Sequence, residues 1–192
     1  MTEPFHTVRI LGLRFYNDSL ERALDLAHTG GGLFLAPSGP GLADLGTDPA
    51  YDEAALNADL NLIDSGYLAL LWKRRTGEQI RRHSGLKFIK ALIEDERFQS
   101  DPRQLWVMPS QADIESARHY LRENGLDGID SRHFYEAPYY RDRPVRDETL
   151  LERIRDERPD YVILCIAGGK QEVLGHWLRE RLEHRPAIIC IG

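Results

Sequence analysis

The sequence predicts an α/β protein of Rossmann-like type, a mostly parallel sheet with helices on both faces. Two observations lead there. Apolar runs of strand length alternate along the 192-residue chain with segments of helical spacing, and helices of about 10–15 residues between strands argue for βαβ units. Several runs, residues 161–167 above all, are continuously apolar, as strands buried on both faces are.

The elements follow in order. Residues 8–13 read as a first strand. Asp18 or Ser19 then caps a helix, with Glu21 placed for a capping box and Leu20, Ala23, Leu24 and Ala27 on one face. Gly30-Gly31-Gly32 stops that helix. Residues 33–36 form a short strand that runs into the loop Pro37-Ser38-Gly39-Pro40-Gly41 and a further helix. A helix at 51–59 precedes a strand at 60–63, and Asp64-Ser65-Gly66 leads into an apolar helix at 67–74. The pattern continues with a helix at 86–98, a strand at 105–108, a helix at 111–124 ending near Gly125, and a strand at 129–134. An aromatic, proline-containing loop at 135–147 separates these from a helix at 148–157. The chain closes with a strand at 161–167, a helix at 171–183 and a strand at 187–191.

Composition limits the function classes. With 42 % hydrophobic and 29 % charged residues and a mean hydropathy of -0.46, the chain has enough apolar material for a core, which excludes disorder, collagen and disulfide scaffolds. Its length predicts one domain over residues 1–192. Twenty-five basic residues against 31 acidic ones give a net charge of -6, so nucleic acid is not an expected partner. Cys165 and Cys190 both lie in apolar runs and read as small core residues of a reducing compartment. The first residues form no signal core, and the longest apolar stretch, 67–72, is too short to span a bilayer. The expectation is a cytoplasmic protein whose membrane contact is peripheral. The seven histidines form no H-E-x-x-H pattern, and His176, Glu180 and His184 are expected on an exposed helix face. The cysteines lack zinc spacing and no Asp-x-Asp loop is present, so no metal site is predicted.

In a parallel sheet ligands gather beyond the carboxyl ends of the strands, which singles out three loops. Gly168-Gly169-Lys170-Gln171-Glu172 follows a strand and opens a helix. It reads either as a plain turn or as a phosphate cradle of helix-start amides supplemented by Lys170 and Gln171. It is neither a Walker A motif nor a G-x-G-x-x-G fingerprint. Asp64 is either a helix N-cap or a general base. Ser38 is either a turn residue or a hydroxyl that orients substrate. Beside these loops, Lys73, Arg74, Arg75, Arg81, Arg82, Lys87 and Lys90 face one acid, Glu78. That run either complements a helix C-terminus or forms an electropositive rim for a diphosphate or an anionic membrane surface.

Taken in order, the loops resemble motifs of the WecG/TagA/CpsF glycosyltransferase family. Ala36-Pro37-Ser38 stands where members carry Thr-x-Asn. The stretch Asn57-Ala58-Asp59-Leu60-Asn61-Leu62-Ile63-Asp64-Ser65 resembles Asn-x-x-Asp followed by Pro-Asp-Gly. Arg82-His83-Ser84-Gly85 resembles Arg-x-Thr-Gly, and Ala167-Gly168-Gly169-Lys170-Gln171-Glu172 resembles Gly-x-Pro-Lys-Gln-Glu.

The resemblance implies inverting transfer from a UDP-sugar to a sugar on a membrane-embedded polyprenyl diphosphate, in bacterial surface or extracellular polysaccharide synthesis. It needs no cofactor or metal and acts at the cytoplasmic membrane face. It makes Asp64 the catalytic base and places Ser38, Gly39, Ser65, Arg82, Ser84, Gly168, Gly169, Lys170 and Gln171 in substrate binding, with Gln171 on the nucleotide diphosphate or its sugar. The expected partners are the UDP-sugar, the lipid-linked glycan, the membrane surface and a second copy of the chain. The departures are Ala36 and Ser38 in the first motif, Ile63 and Ser65 around the aspartate, Lys87 in place of an acid, and Pro109-Ser110-Gln111 in place of a Gly-Gly loop. They point to a divergent exopolysaccharide-type branch. Against the family's usual extent, the chain is expected to lack a basic C-terminal tail and so to bind nucleotide weakly. The rival expectations are a sugar-nucleotide-binding module without turnover and, against the missing glycine fingerprint, a dinucleotide-dependent oxidoreductase.

Overall fold

The computed structural model describes residues 5–37, 39–43, 45–100 and 103–191. Two strands open the chain, β1 (Thr7–Ile10) and β2 (Leu13–Tyr16), paired antiparallel. The single strand expected at 8–13 is therefore a hairpin. Its turn is Leu11-Gly12, with φ of 53° and 85°, the two-residue geometry that matches strand twist. A leucine in the position usually held by Asn or Asp hides that turn from the sequence.

Helix α1 (Leu20–Gly30) is capped by Ser19, whose hydroxyl accepts from the Arg22 N–H at 3.3 Å. This settles the choice between Asp18 and Ser19. Strand β3 (Gly32–Leu35), α2 (Gly39–Ala43), α3 (Pro49–Asn57) and β4 (Leu60–Asn61) follow. Proline at the first helical position and Asp48, which accepts from Ala50 N–H at 3.1 Å, start α3 earlier than the apolar pattern indicates. Next come α4 (Gly66–Thr76), α5 (Gly85–Ile93) and α6 (Glu96–Gln99). The helix expected at 86–98 breaks in two because Asp95 caps α6, accepting from Arg97 N–H at 2.9 Å.

Strand β5 (Gln104–Met108) leads to α7 (Gln111–Glu123) and β6 (Phe134–Glu136). Residues 131–133, expected within a strand, form a tight 3-10 turn. Asp130 and His133 hold it through reciprocal side-chain to backbone bonds. Helix α8 (Glu148–Glu157), β7 (Tyr161–Leu164), α9 (Lys170–Arg179) and β8 (Ala187–Cys190) complete the order. The last helix stops at Arg179, so His184 is not on it. His176 is buried rather than exposed, with Nε2 3.9 Å from Glu53 and 3.8 Å from Glu180.

The strands form one sheet in the order β1-β2-β4-β3-β8-β7-β5-β6, parallel throughout except for β1 with β2. Side chains alternate across it. Leu33, Leu35, Val162, Leu164, Ile188 and Cys190 pack with α3, α8 and α9 on one face. Phe34, Ile163 and Ile189 pack with α1, α5 and α7 on the other. The chain is a mixed α/β fold with a mostly parallel sheet between two helical layers.

The amino edge of the sheet is locked by Asp59. Its carboxylate accepts from Leu33 N–H at 2.8 Å and from the Arg179 guanidinium at 3.1 Å, and it also pairs with Arg185. Gly31 has φ of 55°, and a Cβ there would lie 1.9 Å from the Arg185 carbonyl oxygen. Only glycine fits, so Gly31→Ala is expected to cost about 3 kcal/mol, read as a lower urea midpoint. Burial holds the imidazoles of His28, His83 and His184 below the ordinary histidine range. The folded state therefore favours neutral imidazole. That contribution is complete above the unfolded value and is lost as pH falls below it. The urea midpoint should drop between about pH 7 and about pH 5, a window above the range in which the carboxylates titrate. An unchanged midpoint would contradict this.

Candidate functional site

Parallel pairing carries the ends of seven strands to one edge. Asn61, Leu35, Cys190, Leu164 and Val107 lie in one register row across β4, β3, β8, β7 and β5. Asp64, Ala167 and Ser110 each follow that row by three residues in their own strands' exits. From β4 to β7 is three strand spacings, about 14 Å. The loops that carry Asp64 and Gly168 thus flank the ends of β3 and β8. Ser38, expected between them, lies outside the described residues; Gly39 is the exposed first residue of α2.

Asp64 is half-buried, and it does not cap the helix that follows it. Ser65 does that, its hydroxyl accepting from Leu68 N–H at 3.2 Å. One carboxylate oxygen of Asp64 instead accepts from the Gly85 N–H at 3.3 Å, across 21 residues of chain, and its carbonyl accepts from Arg82 Nε at 2.8 Å. Ser84 caps α5, accepting from Lys87 N–H at 3.2 Å. The starts of α4 and α5 therefore converge on Asp64. A Cβ on Gly85 would come within 3.0 Å of Ala36 Cβ and 3.3 Å of Ile191 Cγ2, so the glycine lets α5 begin directly against the ends of β3 and β8. The N-cap reading of Asp64 is removed, and its carboxylate sits at the carboxyl edge beside a helix N-terminus and an exposed guanidinium.

At the second loop the geometry differs from a simple phosphate cradle. The Gly169 N–H, at a φ of 80°, donates to Glu172 Oε2 at 2.7 Å, and the Lys170 and Gln171 N–H groups donate to the Ala167 carbonyl at 3.2 and 3.3 Å. Gly168 is exposed, whereas Gln171 and Glu172 are only 2 % and 3 % exposed. Gln171 Nε2 lies 3.5 Å from Glu172 Oε1, and the Gln171 carbonyl accepts from Cys190 Sγ at 3.3 Å. Three of the four expected helix-start amides are thus bonded within the chain, and Glu172 supplies the negative charge that a helix N-terminus favours. Its position three residues after Gly169 is a capping spacing, the signal in the sequence that would have revealed it.

Lys170 reaches the other way. Its ammonium donates to the Tyr140 carbonyl at 2.7 Å and stands 4.5 Å over the Tyr139 ring, fastening α9 to the loop after β6. The sequence left that loop unassigned. Tyr135 and Tyr140 donate to Asp147 at 3.0 and 2.7 Å, and Asp147 also caps α8. Burial first, then the Asp147 charge, raises the Tyr135 phenol to about 12; burial and the Asp147 bond raise Tyr140 further. Both remain protonated donors that hold the loop.

A crevice follows from the topology. The connection leaving β5 runs outward to β6 through α7 on one face, and that leaving β7 runs inward to β8 through α9 on the other. Strands whose connections part to opposite faces open a crevice at their carboxyl ends. Here it is bordered by Pro109-Ser110 and Ala167-Gly168. Two large clefts, of about 610 and 870 Å³, lie elsewhere. Gln104, Ile129 and His133 line the first and Asp59, Arg179 and Arg185 the second. Neither includes a residue of the carboxyl-edge loops.

No curated protein matches the chain. The sequence does match the glycosyl transferase WecG/TagA/CpsF family from residue 8 to residue 192, which takes in the sheet from the first hairpin to the last strand. Because that match covers nearly the whole chain, the chain belongs to the WecG/TagA/CpsF family of glycosyltransferases.

Proposed function

We propose that this chain, a Rossmann-like scaffold, is an inverting glycosyltransferase that moves a sugar from a UDP-sugar to a polyprenyl-diphosphate-linked glycan in bacterial surface or extracellular polysaccharide synthesis. It works at the cytoplasmic face of the plasma membrane. The single observation that carries the reading is Asp64. It is a carboxylate released from helix capping, held at the carboxyl edge by Gly85, with Arg82 on its carbonyl. In the reaction Asp64 accepts the proton of the acceptor hydroxyl as that oxygen bonds the anomeric carbon. The carbon–oxygen bond to UDP breaks on the opposite face, its electron pair leaves on the phosphate, and the configuration inverts.

The nucleotide lies in the crevice between the ends of β5 and β7, with its diphosphate toward Gly168 and Lys170 and with Gln171 behind them. Positive charge for the leaving group comes from the protein without a metal, through Lys170, which would exchange its Tyr140 carbonyl for a phosphate oxygen. About 14 Å between the two loops leaves the donor sugar over the ends of β3 and β8, facing Asp64. The lipid-linked acceptor is met from the membrane surface.

A second reading has its own observation in favour. Glu172 holds the Gly169 amide, and Gln171 is buried beside it, an arrangement suited to a binding module that lacks turnover. The two readings separate in one experiment. Calorimetry of the chain with UDP, with and without magnesium, is expected to give saturable binding that ignores the metal and weakens about tenfold in Gln171→Ala. In Asp64→Asn, UDP binding should survive while transfer falls by about 10³-fold, the weight of a general base. Equal transfer by Asp64→Asn and the parent would remove Asp64 from the mechanism. UDP binding with no transfer by either would leave the binding module.

A further inference from the structure

Among the described residues, nothing covers the outer side of α4. Leu68, Ala69 and Trp72 lie partly buried against the core, but none of the helix's residues is fully buried. On the opposite side Tyr67, Leu70 and Leu71 are 70 %, 63 % and 42 % exposed. Helical spacing places Arg74 and Arg75 one turn beyond Leu70 and Leu71, on the same side. Helix α5 repeats the arrangement. Leu86 in its first turn is 76 % exposed, and exposed Lys90 follows one turn later, with exposed Lys87 between them.

Both helices begin at Asp64, through Ser65 for α4 and through the Gly85 N–H for α5. Tyr67 and Leu86 therefore stand at the helix starts beside the candidate base, Leu70 and Leu71 lie in the middle of α4, and the basic residues stand farther along each helix. Apolar side chains next to a basic collar are the pattern of a surface that lies in the interface of an anionic bilayer. Within a chain of net charge -6, residues 73–90 carry seven basic residues and one acid. A second copy of this chain meeting the same face about a two-fold axis would set like charges against one another. A surface of lipid phosphates would complement them.

We propose that the outer face of α4 and the first turns of α5 dock on an anionic lipid bilayer, with Tyr67, Leu70, Leu71 and Leu86 entering the headgroup layer and the basic turns meeting its phosphates. Asp64 is then held at the membrane surface, facing acceptors tethered there. This deepens the transferase reading and rests on it for the purpose of the contact, since a lipid-linked acceptor is what brings Asp64 to a bilayer.

The test is flotation of the full chain with vesicles of phosphatidylcholine alone or mixed equally with phosphatidylglycerol. The parent should float with the mixed vesicles and not the neutral ones, and should be released by about 0.5 M salt, where screening shortens charge interactions. Leu70→Ser with Leu71→Ser, and separately Arg74→Glu with Arg75→Glu, should each reduce flotation at least about tenfold. Thermal unfolding by circular dichroism should stay at the parent midpoint. Four results would overturn the proposal: no flotation of the parent, flotation equal on neutral vesicles, parent-like flotation of either variant, or a concentration-dependent dimer by light scattering that the Leu70 and Leu71 variant abolishes. Flotation requires neither UDP nor turnover. A failure of the transferase reading shows separately, as lost UDP binding in the same preparation.

Discussion

A parallel sheet must be covered on both faces, and much of this structure follows from that requirement. Strands β3, β8 and β7 are buried along their whole length, and their alternating side chains feed two separate apolar layers. Crossover connections supply the cover, and in doing so they make every strand from β2 onward point the same way. Leu174 and Leu178 of α9 and Ala55 of α3 close one face, while Ala23 of α1 and Phe88 of α5 close the other. The common direction of the strands then sends the loops that bear Asp64 and Gly168 to the same edge. The meeting of those loops at one edge is a by-product of burial elsewhere.

The two edges are built differently. The amino edge is closed by charge and close approach. Asp59 joins β3 to Arg179 and Arg185, and Gly31 lets the chain pass against the Arg185 carbonyl. The carboxyl edge is assembled from helix starts. Ser65, Ser84, Ser110 and Glu172 satisfy N–H groups there, and Asp64 links two of those helices without capping either in the usual way. Caps of this kind hold loops with single hydrogen bonds, each of modest net worth. Loops held this way above a continuous strand ladder would let the proposed site adjust to a donor and an acceptor.

Much of the architecture was legible in the sequence. The alternation of strands and helices, the continuous apolar run at β7 and the loops at the carboxyl edge all stand, because they depend on periodicity within short segments. The misses share a cause. The Leu11-Gly12 hairpin, the break at Asp95 and the 3-10 turn at Asp130 are each decided by one local backbone choice, and an apolar pattern does not register such a choice. Family membership was also legible, and the match over residues 8–192 shows it.

What the sequence determined by itself was which groups are available and in what order. It put Asp64 after one strand, Gln171 and Glu172 after another, and a basic run between them and the middle of the chain. What only the tertiary structure decided was which partner each group takes. Asp64 turned from a cap of α4 to a carboxylate held by the Gly85 N–H, because Ser65 took the cap and Gly85 arrived from 21 residues away. The Gly169 amide met Glu172 instead of remaining open, and the outer side of α4 was left without a covering helix. The reason is physical. Local pattern fixes the backbone of a segment through short-range sterics and hydrogen bonding, whereas the pairing of side chains across 20 or more residues depends on packing that brings distant segments within about 3 Å.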